Sequence, residues 1–311
     1  MHPDHPVDAR LRRLASISSL TVAVILVVVK LVAWVLTGSV ALLSSAVDAL
    51  VDTAAALATF FGVRYAERPA DHDHRFGHGK AEAIAGFTQA AFLAGAAIVL
   101  AFQSIEKLFF PVPVQQLGVG LVVILGSLGA ATGLVVMQSW VVRRTGSTAI
   151  AADRAHYITD IAVNIAVLLA LGITRATGWQ RADPVFALGI SAYMLWNSRH
   201  IALDMLTQLL DRELPDADRD RIREKVLACG DVLGVHDLRT RNAGDRIFIE
   251  FHLEVNADLT VSRGHLISDS VESAVEALFP SKVEVTAHLE PAGIEDERLD
   301  NRVNSPHGQT G

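Results

Sequence analysis

Long apolar stretches separated by short polar or Pro/Gly-bearing turns fill the first 210 residues. A helix that crosses a bilayer needs ~20 mostly apolar residues at ~1.5 Å rise each. Six stretches meet that length: 14–36, 39–63, 81–107, 117–142, 148–174 and 184–206. The polar breaks between them are 37–38, 64–80, 110–116, 143–146 and 175–183. No Ala-x-Ala-like cleavage site follows the first stretch, and Arg10, Arg12 and Arg13 precede it, which suits a retained helix rather than a cleaved leader.

After Asp211-Arg212-Glu213-Leu214-Pro215 the period changes. Residues 216–229 read as a helix entered past Pro215, with acidic side chains in the first turn where the helix dipole favours them. Residues 234–242 and 246–255 alternate as strands, and Ala243-Gly244-Asp245 supplies a hairpin connection. A second helix spans 262–278 with Ser262 as its expected N-cap, and 282–289 alternates as a third strand. The expected fold is a polytopic α-helical membrane protein of six transmembrane helices with a C-terminal α+β domain of order αββαβ. Its parts are an N-terminal segment 1–13, the helical domain 14–206, a linker 207–215, the second domain 216–291 and a polar tail 292–311, read as disordered.

Charge divides at the same place. Met1 to Leu210 holds 15 Lys plus Arg against 13 Asp plus Glu, whereas Asp211 to Gly311 holds 12 against 21. Basic residues cluster at Arg10, Arg12 and Arg13, at Arg64, Arg68, Arg75 and Lys80, and at Arg143 and Arg144, all on one side of the expected membrane. By the positive-inside rule that side is cytoplasmic and carries both termini. A single Cys229 excludes a disulfide-stapled domain. A pI near 5.9 without a basic stripe argues against nucleic-acid binding.

Ionisable residues inside apolar stretches are costly and so carry the functional signal. Asp48 and Asp52 stand four apart in the second stretch and project from one helical face. Their charges call for a bound cation or, alternatively, an ion pair with a basic residue such as Lys30. His156 and Asp160 repeat the four-residue spacing in the fifth stretch. Two such pairs can converge as three carboxylates and one imidazole, a set suited to a tetrahedral divalent cation. Asp153 is expected nearer the interface, as a cap or a partner of Arg154. The loop Asp71-His72-Asp73-His74-Arg75-Phe76-Gly77-His78 is dense in ligand types, yet a solvated polar turn is an equal reading by composition alone.

Taken together, Asp48-x-x-x-Asp52, Phe76-Gly77-His78-Gly79-Lys80-Ala81-Glu82, His156-x-x-x-Asp160 with Asn164, and Gly234-Val235-His236-Asp237-Leu238-Arg239 resemble the cation diffusion facilitator family, in its bacterial zinc and ferrous-iron efflux branch. The resemblance runs from Leu14 to Glu290. It implies a transport site at Asp48, Asp52, His156 and Asp160, a loop site at Asp71, His74 and His78, and a metallochaperone-like cytoplasmic domain binding zinc near its dimer interface through His236, His252, His265, His288 and Glu290. It also implies a dimer-stabilising charge pair of Lys80 and Asp211. The chain departs from that pattern at Leu289, where relatives carry an amide, and at Glu290, where they carry Asp.

The function expected is therefore not an enzyme's. It is a homodimeric antiporter of the bacterial inner membrane that exports Zn²⁺, or Fe²⁺ or Cd²⁺, in exchange for protons, with those ions as its substrate and as structural or regulatory ligands and no organic cofactor. A ligating imidazole must be neutral, and the reference value of ~6.5 for histidine lies near cytoplasmic pH, so metal and proton compete for one lone pair. The competing reading is a membrane-anchored metal sensor or scaffold, which has no use for paired acids inside apolar helices. No Gly-x-x-x-x-Gly-Lys-Ser/Thr phosphate loop is present, which disfavours an ATP-driven pump.

Overall fold

The computed structural model describes residues 6–37, 40–110, 117–179, 181–279, 282–293 and 299. Two compact units divide it, one covering Pro3–Leu206 and the other beginning at Thr207. The first contains α1 (Pro6–Thr37), α2 (Val40–Ala66), α3 (Ala81–Phe109), α4 (Leu117–Thr145), α5 (Thr148–Thr177) and α6 (Ala182–Leu209). Each helix contains one of the six apolar stretches almost whole and runs past it, because backbone hydrogen bonding continues where hydropathy stops. Thus α1 begins at Pro6, a residue favoured in the first helical turn.

By length and composition α1 to α5 are able to cross a membrane. Among the described residues five of the six helices meet that measure, and α6, which carries Asp183, Arg199 and Asp204, does not. Large side chains such as Val35, Phe61, Phe102 and Val136 are exposed on the outer faces. In water such surface promotes association, whereas in hydrocarbon it matches its solvent.

Inside the unit, small residues let the backbones approach. Ala46, Ala49, Ala55, Ala85, Ala97 and Ala149 are all buried. α1 lies against α2 and α4, and α5 lies against α4, α3 and α2. A methyl group at Gly62 of α2 would stand 2.3 Å from the Ala85 Cβ of α3, and one at Gly86 would stand 2.5 Å from the Met205 Sδ of α6. α4 ends at Gly146, whose φ of 65° reverses the chain, and Ser147 caps α5 by accepting from the Ile150 amide. The same Ser147 hydroxyl donates to Glu82 on α3 at 2.6 Å, and Arg12 of α1 lies 3.7 Å from that carboxylate. One polar knot therefore joins three helix ends.

The second unit holds α7 (Asp216–Leu227), β1 (Gly234–Asn242), β2 (Arg246–Val255), α8 (Val261–Glu276) and β3 (Lys282–Pro291). β1 and β2 form an antiparallel hairpin, and β3 adds parallel to β2 after the α8 crossover. Ile222 and Val226 of α7, Ile267 and Val271 of α8, and Phe251 and Leu253 of β2 make the core. The N-cap of α8 is Thr260, not Ser262: its hydroxyl accepts from the Arg263 amide at 3.3 Å, from an extended backbone that starts the helix at Val261, one residue ahead of the expected 262. Residues 1–5 of the N-terminal segment, and 294–298 and 300–311 of the expected tail, lie outside the described residues.

Candidate metal sites

Asp52 on α2 and His156 and Asp160 on α5 place ligand atoms within 4.8 Å of one another. His156 Nε2 lies 3.1 Å from Asp52 Oδ1 and 3.6 Å from Asp160 Oδ2. The imidazole is buried, and neither ring nitrogen has an aligned hydrogen-bond partner. Buried polar atoms left so are costly unless a further group binds them. Nε2 faces the Asp52 and Asp160 carboxylates, as a ligand beside a shared cation does. Asp48 lines the same cavity, of about 670 Å³, but stands outside the trio. Of the four expected ligands, three stand close together and one lies further along the cavity wall. Asn164 donates to the Asp160 carbonyl oxygen at 2.8 Å, one turn along α5.

Asp153 differs from its expectation. It is 1% exposed, and its Oδ2 accepts from Gln138 Nε2 of α4 at 2.6 Å. The cap of α5 is Ser147 instead. Nearby, the Tyr157 hydroxyl donates to the Ser19 carbonyl oxygen of α1 at 3.3 Å. Asp153 precedes His156 by three residues, so it shares the inward face of α5. That spacing was the available sequence signal for a buried network behind the imidazole.

Asp71, His74 and His78 form a second group in the α2–α3 loop. Asp71 Oδ1 accepts from the amides of Asp73 and His74, at 3.0 and 2.7 Å, an Asx-type turn. The His74 amide in particular holds the Asp71 carboxyl below its ordinary value, so the group stays an anionic ligand. His78 is buried, edge-on to the Tyr65 ring, with Nε2 3.4 Å from Asp71 Oδ2. Gly77, at φ 82°, permits the turn between the two histidines.

In the second unit the pairing register aligns three histidines. His236 of β1 faces His252 of β2, which faces His288 of β3, and the neighbouring rings stand 5.1 and 4.9 Å apart. Glu290 lies two residues beyond His288 on the same face. Its carboxylate is 3.2 Å from His236 Nε2, 2.7 Å from His252 Nδ1 and 3.6 Å from His288 Nε2. His236, His252 and Glu290 form the tight group, and both nitrogens of His236 lack aligned hydrogen bonds. Leu289 turns the other way and packs against the core, beside Gly264. His265 is exposed, 3.5 Å from Asp269, and the structure does not bring it to the row. Lys80 stands just ahead of α3, and Asp211, with φ 56°, lies 3.7 Å from Arg241 in the second unit.

Comparison with known proteins gives a match over nearly the whole chain. Residues 16–210 match the family model described as the cation efflux transmembrane domain, and residues 214–292 match that of the cation efflux protein cytoplasmic domain. The chain is 43% identical over 285 residues to the cation-efflux pump FieF of Klebsiella pneumoniae, covering 92% of this chain and 94% of the relative. FieF of Salmonella choleraesuis matches with the same identity and coverage. Among solved structures, a chain of CzrB in its Zn form is 40% identical, covering 28% of this chain and 99% of that one at a TM-score of 0.26.

Proposed function

This chain belongs to the cation efflux family, the cation diffusion facilitators, and on that premise we propose that it exports a divalent metal ion in exchange for protons, Zn²⁺ ahead of Fe²⁺ or Cd²⁺. The observation that carries the reading is the convergence of Asp52, His156 and Asp160 on a cavity between apolar helices. Carboxylates and an imidazole suit several divalent ions, so ligand type narrows the cargo without naming it. The FieF relatives, each called a cation-efflux pump, support the direction of transport.

The steps follow from ligand chemistry. Neutral His156 and ionised Asp52 and Asp160 bind the ion from the cytoplasmic side, with Asp48 as a fourth ligand drawn in from the cavity wall. Rocking of helices around a roughly midplane site then exposes it to the other side. Protons compete there for the imidazole lone pair and the carboxylates, so an acidic exterior promotes release and reloads the site. In this reading the protein is a homodimer in the bacterial inner membrane with both termini in the cytoplasm. The His236, His252, His288 and Glu290 row is a resident zinc site that steadies the second unit, with His265 joining once metal is bound. Asp71, His74 and His78 capture ions at the loop.

The test is metal uptake by proteoliposomes under an imposed pH gradient, comparing Zn²⁺, Fe²⁺, Cd²⁺ and Mn²⁺ for the wild type and Asp160→Ala. Gradient-dependent flux that Asp160→Ala abolishes is the expected outcome. Absence of flux for every ion, with metal still bound by the protein, would replace this reading by that of a membrane-anchored sensor.

A further inference from the structure

Lys30 has no place in the ligand set, yet it lines the cavity that the ligands share. Its neighbours on α1 are Val27, Val28, Val29 and Leu31, so an ammonium there sits in an apolar stretch, where it is costly. A purely structural lysine in that setting extends toward the membrane surface. Lys30 instead borders the same space as Asp48, Asp52, His156 and Asp160, and its charge acts on Asp48 and Asp160. Among the described lining residues no other Lys or Arg is present.

The charge balance is informative. With His156 neutral, as ligation requires, three carboxylates and one ammonium leave the cavity with two negative charges. One divalent cation neutralises them. Without the ammonium, three negative charges would face the ion, and attraction in a partly desolvated cavity grows steeply with each uncompensated charge. A transporter has to release its cargo, so excess attraction slows turnover even as it strengthens capture.

We infer that Lys30 is a built-in competing cation: it sets the cavity charge to that of one divalent ion and holds affinity low enough for release. It is a positioning residue of the electrostatic kind, touching no cargo. The idea deepens the transport reading and depends on it. When the cavity is empty the ammonium partly screens the carboxylates, and when the ion arrives it opposes over-tight binding.

The experiment measures initial Zn²⁺ uptake by full-length protein in proteoliposomes under a pH gradient, for the wild type, Lys30→Met, Lys30→Gln and Lys30→Arg. Both neutral variants are expected to lower KM on the order of tenfold and to lower Vmax along with it, while Lys30→Arg stays close to wild type. An unchanged or raised KM in both neutral variants overturns the inference, as does an Arg variant that behaves like Met. If a neutral variant reconstitutes but shows no flux, equilibrium retention of ⁶⁵Zn²⁺ decides, counting only the fraction that added Asp160→Ala removes. Tighter retention supports the inference, and equal or weaker retention overturns it. A wild type that carries no ion at all is a failure of the transport reading, recognisable before any variant is compared.

Discussion

Two metal-ready groups in this chain use the same side chains on opposite scaffolds. Between α2 and α5, two carboxylates and one imidazole meet across a cavity of about 670 Å³. Across β1, β2 and β3, three imidazoles stand in line above one carboxylate that reaches all of them. The first is oxygen-rich and set between two helices. The second is nitrogen-rich and pinned by backbone hydrogen bonds on both sides of β2. Ligand type and scaffold type thus vary together, as they should if one site passes ions along and the other keeps them.

Breaking either site in turn tests the comparison. Asp52→Ala leaves the converged trio short of one desolvated charge and is expected to cut Zn²⁺ flux on the order of 100-fold, with the amide protection of β1–β3 unchanged. Hydrogen exchange and flux measured on the same preparation check this. His252→Ala should do the reverse, sparing the intrinsic capture of cargo and weakening the sheet. Chelation sharpens the point: with metal at about 100 times its Kd, binding stabilises by ~2.7 kcal/mol. EDTA should therefore lower exchange protection in β1–β3 about 100-fold in the wild type and leave His252→Ala unmoved.

Gly62→Ala probes the helical scaffold itself. Its methyl would stand 2.3 Å from Ala85 Cβ, so α2 must shift from α3, at about 1–3 kcal/mol. A lower melting midpoint for the helical unit and a raised KM are expected, with the sheet site intact.

The smallest effect belongs to the loop. Because the Asp71 carboxyl lies below its ordinary 3.8 in the folded loop, its contribution to loop order is complete above that value and is lost as pH falls through the lower, folded one. Asp71→Asn should therefore weaken loop metal binding by the same factor at about pH 7.5 and about pH 8.5, where the neighbouring histidines are neutral. A factor that changed between these pH values would place the titration of Asp71 in the functional range.

Local spacing alone nominates the helical group. Residues four apart share a helical face wherever the helix goes, so Asp52, His156 and Asp160 could be nominated without knowing how α2 and α5 pack. Asp48 also follows that rule by lining the same cavity, but which of two carboxylates on one face of α2 comes nearest to His156 depends on how α2 meets α5, and that is not local. Asp153 was misplaced for a related reason: hydropathy shows that a segment is apolar and says little of which side turns inward. In the sheet the limits reverse. Alternation placed His236, His252 and His288 on strands, but their alignment needs the register of an antiparallel hairpin and of a parallel strand that returns after α8, and neither is local. Once that register is seen, Leu289 ceases to be an anomaly in the ligand pattern. The pleat that turns His288 and Glu290 to the face of the histidine row turns the residue between them into the core.

The order of the strands also sets a timetable for biosynthesis. His236 and His252 leave the ribosome on an early hairpin, whereas His288 and Glu290 arrive with β3, the last strand among the described residues. By then α1 to α6 have already been translated and are available for insertion. A chain cut short before β3 would retain Asp52, His156 and Asp160 and lack both the third ring of the row and the carboxylate that gathers it. Completion of the histidine row therefore marks a chain translated through β3, after every helix of the first unit.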